Sequence, residues 1–181
     1  MKGVYKLSEE TKQQARDYRE GFYAAQPQVK RFAQVRRALL WGLTGLLLAH
    51  EVLNGILIVL GLEDASYLPA NGFRLLLHLF VLTMPRAMGG KGALGLLIIA
   101  VPSVVTLVQS MPYAPFVFSA ASPSPLLAVL FSVETVYTLL VLGVFVWLVL
   151  PPSFRLADRE REIYLAYCKF INDQIPPEFR S

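Results

Sequence analysis

The sequence predicts an all-α membrane protein, a bundle of four transmembrane helices with an amphipathic cytoplasmic helix at each terminus. Of the 181 residues, 55% are hydrophobic and only 17% are charged, whereas soluble domains average about 25% charged residues. The charges are also concentrated at the ends, because residues 38–150 contain only three Lys/Arg and four Asp/Glu. We therefore divide the chain into an N-terminal segment (1–37), a transmembrane domain (38–150) and a C-terminal segment (151–181).

The N-terminal segment predicts an amphipathic helix over residues 8–25. Ser8 is a suitable N-cap, and the acidic residues that follow it suit the first turn of a helix. Pro27 ends or bends this helix. A basic stretch then precedes the first apolar run, and its side chains are expected to attract anionic lipid headgroups; they are Lys30, Arg31, Arg36 and Arg37.

Four apolar runs predict the transmembrane spans, since about 20 helical residues cross a hydrocarbon core. The predicted spans are 38–62, 67–88, 93–111 and 126–150. The second span needs residues from its flanks, because its apolar part, 73–84, covers only about 18 Å of helix. Residues 112–125 are uncharged and proline-rich and are predicted to form a loop.

The C-terminal segment predicts a second amphipathic helix, over residues 158–175, after Pro151 and Pro152 stop the fourth span. The aromatic residues of the two terminal helices could pack on each other, lie in the headgroup layer or dock a partner protein. The nearly balanced charges outside the basic stretch argue against nucleic acid as a partner. The predicted docking residues are Tyr18, Phe22, Tyr164, Tyr167 and Phe170.

The distribution of Lys and Arg predicts that both termini lie on the cytoplasmic or matrix side. That side would hold nine basic residues before the first span, then Arg86 and Lys91, and five after the fourth span. The opposite side would hold only Arg74. We expect a bacterial cytoplasmic membrane or the inner membrane of an organelle.

Polar side chains form one stripe on each predicted span, at spacings of three or four residues. We expect them to form a buried cluster in which Arg74 or a protonated His78 balances Glu51 or Glu134. Two roles stay open: hydrogen bonds that only hold the helices together, or the handling of protons or ions. The predicted cluster consists of His50, Glu51, Asn54, Arg74, His78, Glu134 and Tyr137.

No metal, cofactor or catalytic residue is predicted. His50 and Glu51 begin like the zinc-protease motif H-E-x-x-H, but Asn54 stands where the second histidine would be. Haem is a further alternative, although helical rise along the predicted spans separates His50 and His78 by about 9 Å along the membrane normal.

These features predict a non-enzymatic accessory or scaffold subunit of a larger membrane complex, in contact with lipid and with other membrane protein subunits. The alternative is a small oligomeric transporter or channel that uses the Glu/His cluster. A third interpretation is a haem-binding or quinone-binding membrane subunit. A scaffold is expected to tolerate Glu51→Gln and Glu134→Gln, whereas a transporter is expected to lose flux.

Overall fold

The structure is a computed structural model that describes residues 7–83, 88–119, 121–122 and 124–176, and within these ranges it is helical and contains no strand. Short 3-10 segments lie between the helices at Ala65–Tyr67, Gly89–Gly92 and Met111–Tyr113. The helices are α1 (Glu9–Ala25), α2 (Pro27–Val59), α3 (Leu68–Thr83), α4 (Ala93–Ser110), α5 (Ala114–Val117), α6 (Pro125–Val149) and α7 (Pro151–Asp173).

Among the described residues, three helical stretches are long and apolar enough to cross a membrane: Pro27–Val59, Gly89–Val117 and Pro125–Val149. Helix α3 has 16 residues, or about 24 Å of helix, which is less than a typical 30 Å hydrocarbon core. A crossing by α3 therefore stays a prediction. Residues 84–87, with the predicted inner-side Arg86, lie outside the described residues.

Prolines set two helix boundaries that differ from the predicted ones. Helix α2 begins at Pro27, so the basic stretch belongs to the same helix as the first span. Helix α7 begins at Pro151, seven residues earlier than predicted. Both differences have one cause: proline suits the first turn of a helix, where its missing N–H is not needed. Part of the predicted loop at 112–125 is also helical, as α5.

The apolar core lies between α2, α4 and α6, with Val81 of α3 packed against it. Its most enclosed members include Leu47, Leu96 and Val141. Large apolar side chains also cover the outside of these helices: Trp41 is 64% exposed and Val59 is 87% exposed. An extensive exposed apolar surface is unusual for a soluble protein and fits a membrane location.

Helices α1 and α7 pack against each other at one end of the bundle, here called the tail end; the end at which α2 stops and α3 begins is the far end. The Tyr18 and Phe170 rings stack with centroids 4.7 Å apart. Ser8 caps α1 as predicted, since its hydroxyl accepts a hydrogen bond from Thr11 N at 3.1 Å.

An ion pair joins α1 to the start of α2 across the break at Gln26. Lys30 Nζ donates to Glu20 Oε2 at 2.9 Å, and this hydrogen bond holds the pKa of the Glu20 carboxyl below its ordinary value. Both groups are about half exposed, so the pair contributes little to stability.

Candidate functional site

Glu134 of α6 and Arg74 of α3 form a bidentate ion pair inside the bundle. Arg74 Nη1 donates to Glu134 Oε2 at 2.9 Å, and Nη2 donates to Oε1 at 3.0 Å. The Arg74 side chain is only 12% exposed and the Glu134 side chain only 7%. Such two-point charge-assisted contacts are among the strongest hydrogen-bonded pairs in proteins, so this pair fixes α3 against α6.

His50 of α2 lies between two carboxylates. Its Nε2 is 3.3 Å from Glu134 Oε2, and its Nδ1 is 3.3 Å from Glu51 Oε1. A neutral imidazole can present an N–H to only one of these carboxylates, whereas an imidazolium presents one to each. If His50 is protonated, two positive groups, His50 and Arg74, meet two negative groups, Glu51 and Glu134.

His78 of α3 lies next to this cluster in a chain of hydrogen bonds. Thr44 Oγ1 donates to Leu40 O at 2.9 Å, so the contact of 3.0 Å with His78 Nε2 requires this ring nitrogen to be the donor. In a neutral imidazole, which has one donor and one acceptor nitrogen, Nδ1 then accepts from the Tyr137 hydroxyl at 3.1 Å. Three helices, α2, α3 and α6, are linked through this one histidine.

The Tyr137 ring connects the two groups of contacts, because the Arg74 guanidinium lies 4.8 Å from its centroid. The structure therefore pairs Arg74 with Glu134, one of the two carboxylates expected to balance it. The other counter-charge considered, His78, contacts Thr44 and Tyr137 with its two ring nitrogens. Thr44 was missed from the sequence, because a lone threonine in an apolar helix commonly satisfies its hydroxyl on the preceding turn.

A cleft of about 770 Å³ opens beside this cluster. His50, Arg74 and Glu134 line it together with Asn54. The cleft extends along α2 and α4 towards the far end, and its walls are mainly apolar: Phe73, Leu77, Ile98, Leu127, Leu130 and Phe131.

Asn54 differs from the other polar residues of the cluster. It is only 6% exposed and lines the cleft. Within the described part of the chain, its amide makes no hydrogen bond with another side chain or with the backbone. Buried side-chain amides are normally hydrogen-bonded, so this one is suited to a bound molecule or to water.

The histidines do not form a ready site for a metal or haem. Within the described ranges, no group of three or more His, Cys, Asp or Glu side chains is arranged to hold a metal ion. Because α3 begins at Leu68, His50 and His78 lie about equally far from the far end, roughly 14 and 15 Å along their helices. The predicted depth difference is therefore wrong, but a haem iron would have to displace contacts that both rings already make.

The tail end corrects one predicted lipid contact. Lys30, Arg31 and Arg37 are exposed, whereas Arg36 is 5% exposed. Arg36 Nη2 donates to Glu160 Oε1 of α7 at 2.9 Å, so it faces a neighbouring helix and not lipid headgroups. Neither Glu160 nor this pairing was predicted, because nothing local in the sequence connects residues 124 positions apart.

The predicted docking aromatics lie at the contact between α1 and α7. Tyr18 packs on Phe170 and, edge to face, on Phe22, whose ring centroid is 5.0 Å away. Arg19 lies over the Tyr167 ring, with 5.3 Å from its guanidinium carbon to the centroid. Tyr164 lies beside them in a small pocket between α1, α2 and α7. These side chains therefore hold the terminal helices together, and their use by a partner stays a prediction.

Comparisons with protein-family models, curated proteins and solved structures gave no match to this chain. The contacts of its own side chains are therefore the basis for a functional proposal.

Proposed function

We propose that this chain is a four-span, non-enzymatic accessory or scaffold subunit of a larger membrane complex. It would lie in a bacterial cytoplasmic membrane or an organelle inner membrane, with amphipathic terminal helices and both termini on the cytoplasmic or matrix side. Lipid and other membrane protein subunits would be its partners.

Contacts at the tail end support four crossings. Helix α2 runs from the tail end to the far end. After α3, however, the backbone N–H of Gly90 donates to Asp158 Oδ1 of α7, at the tail end, over 2.9 Å. The turn after α3 is thus back at the tail end. Helix α3 would therefore be the second crossing, made short by local thinning of the bilayer or by little tilt.

The basic residues support the same orientation. Lys30, Arg31 and Arg37 lie on the exposed surface at the tail end, and Lys91 lies in the turn that contacts α7. Short loops rich in Lys and Arg stay on the cytoplasmic side during insertion.

The bidentate pair of Arg74 and Glu134 is the observation that carries the scaffold role. Both groups are committed to each other at 2.9 and 3.0 Å, and His50 approaches the same carboxylate. Arg74 thus neutralises Glu134, and the two hydrogen bonds between them fix α3 against α6. The remaining outer surface is apolar and available to lipid or to neighbouring subunits.

Co-purification in a mild detergent tests this role. A tagged chain, expressed at its native level, is expected to retain one or more membrane proteins in a fixed ratio. An unrelated four-span protein carrying the same tag is the control. Recovery of the chain alone, as a monodisperse species from its native membrane, would contradict the proposal.

The second candidate is a small oligomeric transporter or channel, favoured by the cleft that reaches His50 and Glu134. Glu134→Gln cannot separate the two functions, since it removes the carboxylate that neutralises Arg74 and would disturb folding in either case. Glu51→Gln and His50→Gln keep that ion pair. If these variants assemble normally and the wild-type chain alone shows no pH-dependent flux in liposomes, the scaffold role holds.

A further inference from the structure

We infer that the cleft beside Asn54 binds an uncharged amphipathic molecule of the quinone type, with a carbonyl-bearing ring as its head and an apolar tail. This inference is independent of the scaffold role, because an accessory subunit and a transporter could equally hold such a ligand.

The size and shape of the cleft suit this class of ligand. Its volume of about 770 Å³ lies within the range of typical small-molecule sites, about 300–1,000 Å³. On α4 it extends from Ile98 to Ser110, which is about 18 Å of helix. The polar head would lie beside Asn54, which lies between the two ends of the cleft, and the tail would lie against the apolar walls.

The charged groups Arg74 and Glu134 favour an uncharged head, and the remaining charged residue of the lining, Glu63, lies at the far end. An anion would be repelled by the Glu134 carboxylate, which both Nη groups of Arg74 already contact. One guanidinium donor is left, the buried Arg74 Nε, which has no hydrogen-bond partner among the described residues. A cation would find both Glu134 oxygens occupied, by Arg74 and by the ring of His50. The head of a bound molecule can therefore be held in this cleft by hydrogen bonds to a neutral polar group.

Asn54 supplies that hydrogen bonding. The residue is only 6% exposed, it lines the cleft, and within the described residues its amide has no hydrogen-bond partner. An amide can donate to a quinone carbonyl and can accept from a quinol hydroxyl. His50, one helical turn away on the same face, lines the cleft beside it.

Equilibrium binding of decylubiquinone to the purified full-length chain in detergent tests the inference. The wild-type chain is expected to bind the probe saturably, with one site per chain. Asn54→Leu, which removes the amide at similar volume, is expected to weaken binding about ten-fold, the loss of roughly one hydrogen bond. Asn172→Leu, on the exposed surface of α7, is the matched control and should leave the affinity unchanged.

Two further arms keep the result interpretable. Thr106→Trp, an enlargement at an exposed position of the cleft wall, is expected to abolish binding without unfolding the chain. Decanoate, a charged molecule with a comparable apolar tail, is expected to bind at least ten-fold more weakly than the quinone. Equal binding of decanoate, equal affinity of the Asn54→Leu chain, or no saturable binding to the wild-type chain would each overturn the inference.

Discussion

Arg74 on α3 and Glu134 on α6 meet through two parallel hydrogen bonds of 2.9 and 3.0 Å, although 60 residues separate them in the sequence. Removing one partner leaves the other as an uncompensated charge inside an apolar bundle. We therefore expect Arg74→Gln to lower the free energy of unfolding by about 3–5 kcal/mol, measured by denaturant titration in detergent micelles.

A surface ion pair provides the control for this experiment. Arg159 and Glu162 lie 3.1 Å apart with side chains 63% and 65% exposed, and such pairs are worth about 0–1 kcal/mol. Arg159→Gln should therefore have little effect. Similar losses for Arg74→Gln and Arg159→Gln would show that the buried pair does not stabilise the fold.

The hydrogen bonds of His78 give a second prediction. Tyr137→Phe removes the hydroxyl that donates to His78 Nδ1 and is expected to cost about 1 kcal/mol of unfolding free energy. Nitrogen NMR of labelled histidine should also show the proton of the wild-type ring on Nε2. Tyr113→Phe, at a residue 66% exposed, should change neither the unfolding free energy nor the position of the ring proton. A proton found on Nδ1 of His78 would contradict the assigned direction of its hydrogen bonds.

The turn at Gly89–Gly92 should not accept larger residues. A Cβ at Gly90 would lie 2.5 Å from the Phe154 ring. Gly89 has φ +58, and a Cβ there would clash with the Asp158 side chain. We expect Gly90→Ala to destabilise the chain by about 1–3 kcal/mol, and Phe154→Ala to relieve part of that loss. Gly143→Ala, with nothing within 4 Å, should be neutral or stabilising, as a helix favours alanine over glycine.

Neighbouring arginines at the tail end should behave differently. Arg36→Gln removes the buried contact with Glu160 and is expected to loosen α7, so that limited proteolysis cuts it at least several-fold faster. Arg37→Gln changes an exposed side chain and should affect only binding to anionic vesicles. Equal protease resistance of both variants would mean that the Arg36 contact does not hold α7 in position.

The proposed orientation predicts opposite accessibility for the two ends of the bundle. In a chain carrying Cys168→Ser, a cysteine introduced by Glu63→Cys should react with a membrane-impermeant maleimide from the outer side. A cysteine introduced by Arg155→Cys should react only after the membrane is permeabilised. Labelling of both positions from one side of an intact membrane would refute four crossings.

The boundaries of the apolar helices could be predicted from the sequence, because hydropathy is a local property. The third predicted span, 93–111, corresponds to α4 at Ala93–Ser110, and the fourth, 126–150, corresponds to α6 at Pro125–Val149. The starts of α2 and α7 were harder to predict, since proline both stops one helix and suits the first turn of the next.

The members of the polar cluster were also predictable, but its pairing was not. Counted from the start of the apolar part, 73–84, helical rise placed Arg74 only about 3 Å from the far end. In the structure α3 begins at Leu68, which moves Arg74 to about 9 Å, and its long side chain covers the remaining distance. Which carboxylate it meets depends on how each helix is rotated, and periodicity within one helix carries no information about its neighbours.

The separation of Arg36 and Glu160 by 124 residues has a consequence for biosynthesis. The arginine leaves the ribosome long before its carboxylate exists, and at about 5–20 residues per second the delay is on the order of ten seconds. In the proposed topology, Arg36 would lie at the membrane surface during that interval, where water or lipid phosphate can solvate it. Closure of the tail end is thus a late step of assembly, and a chain that terminates before α7 would present a persistent charged site to quality-control proteases.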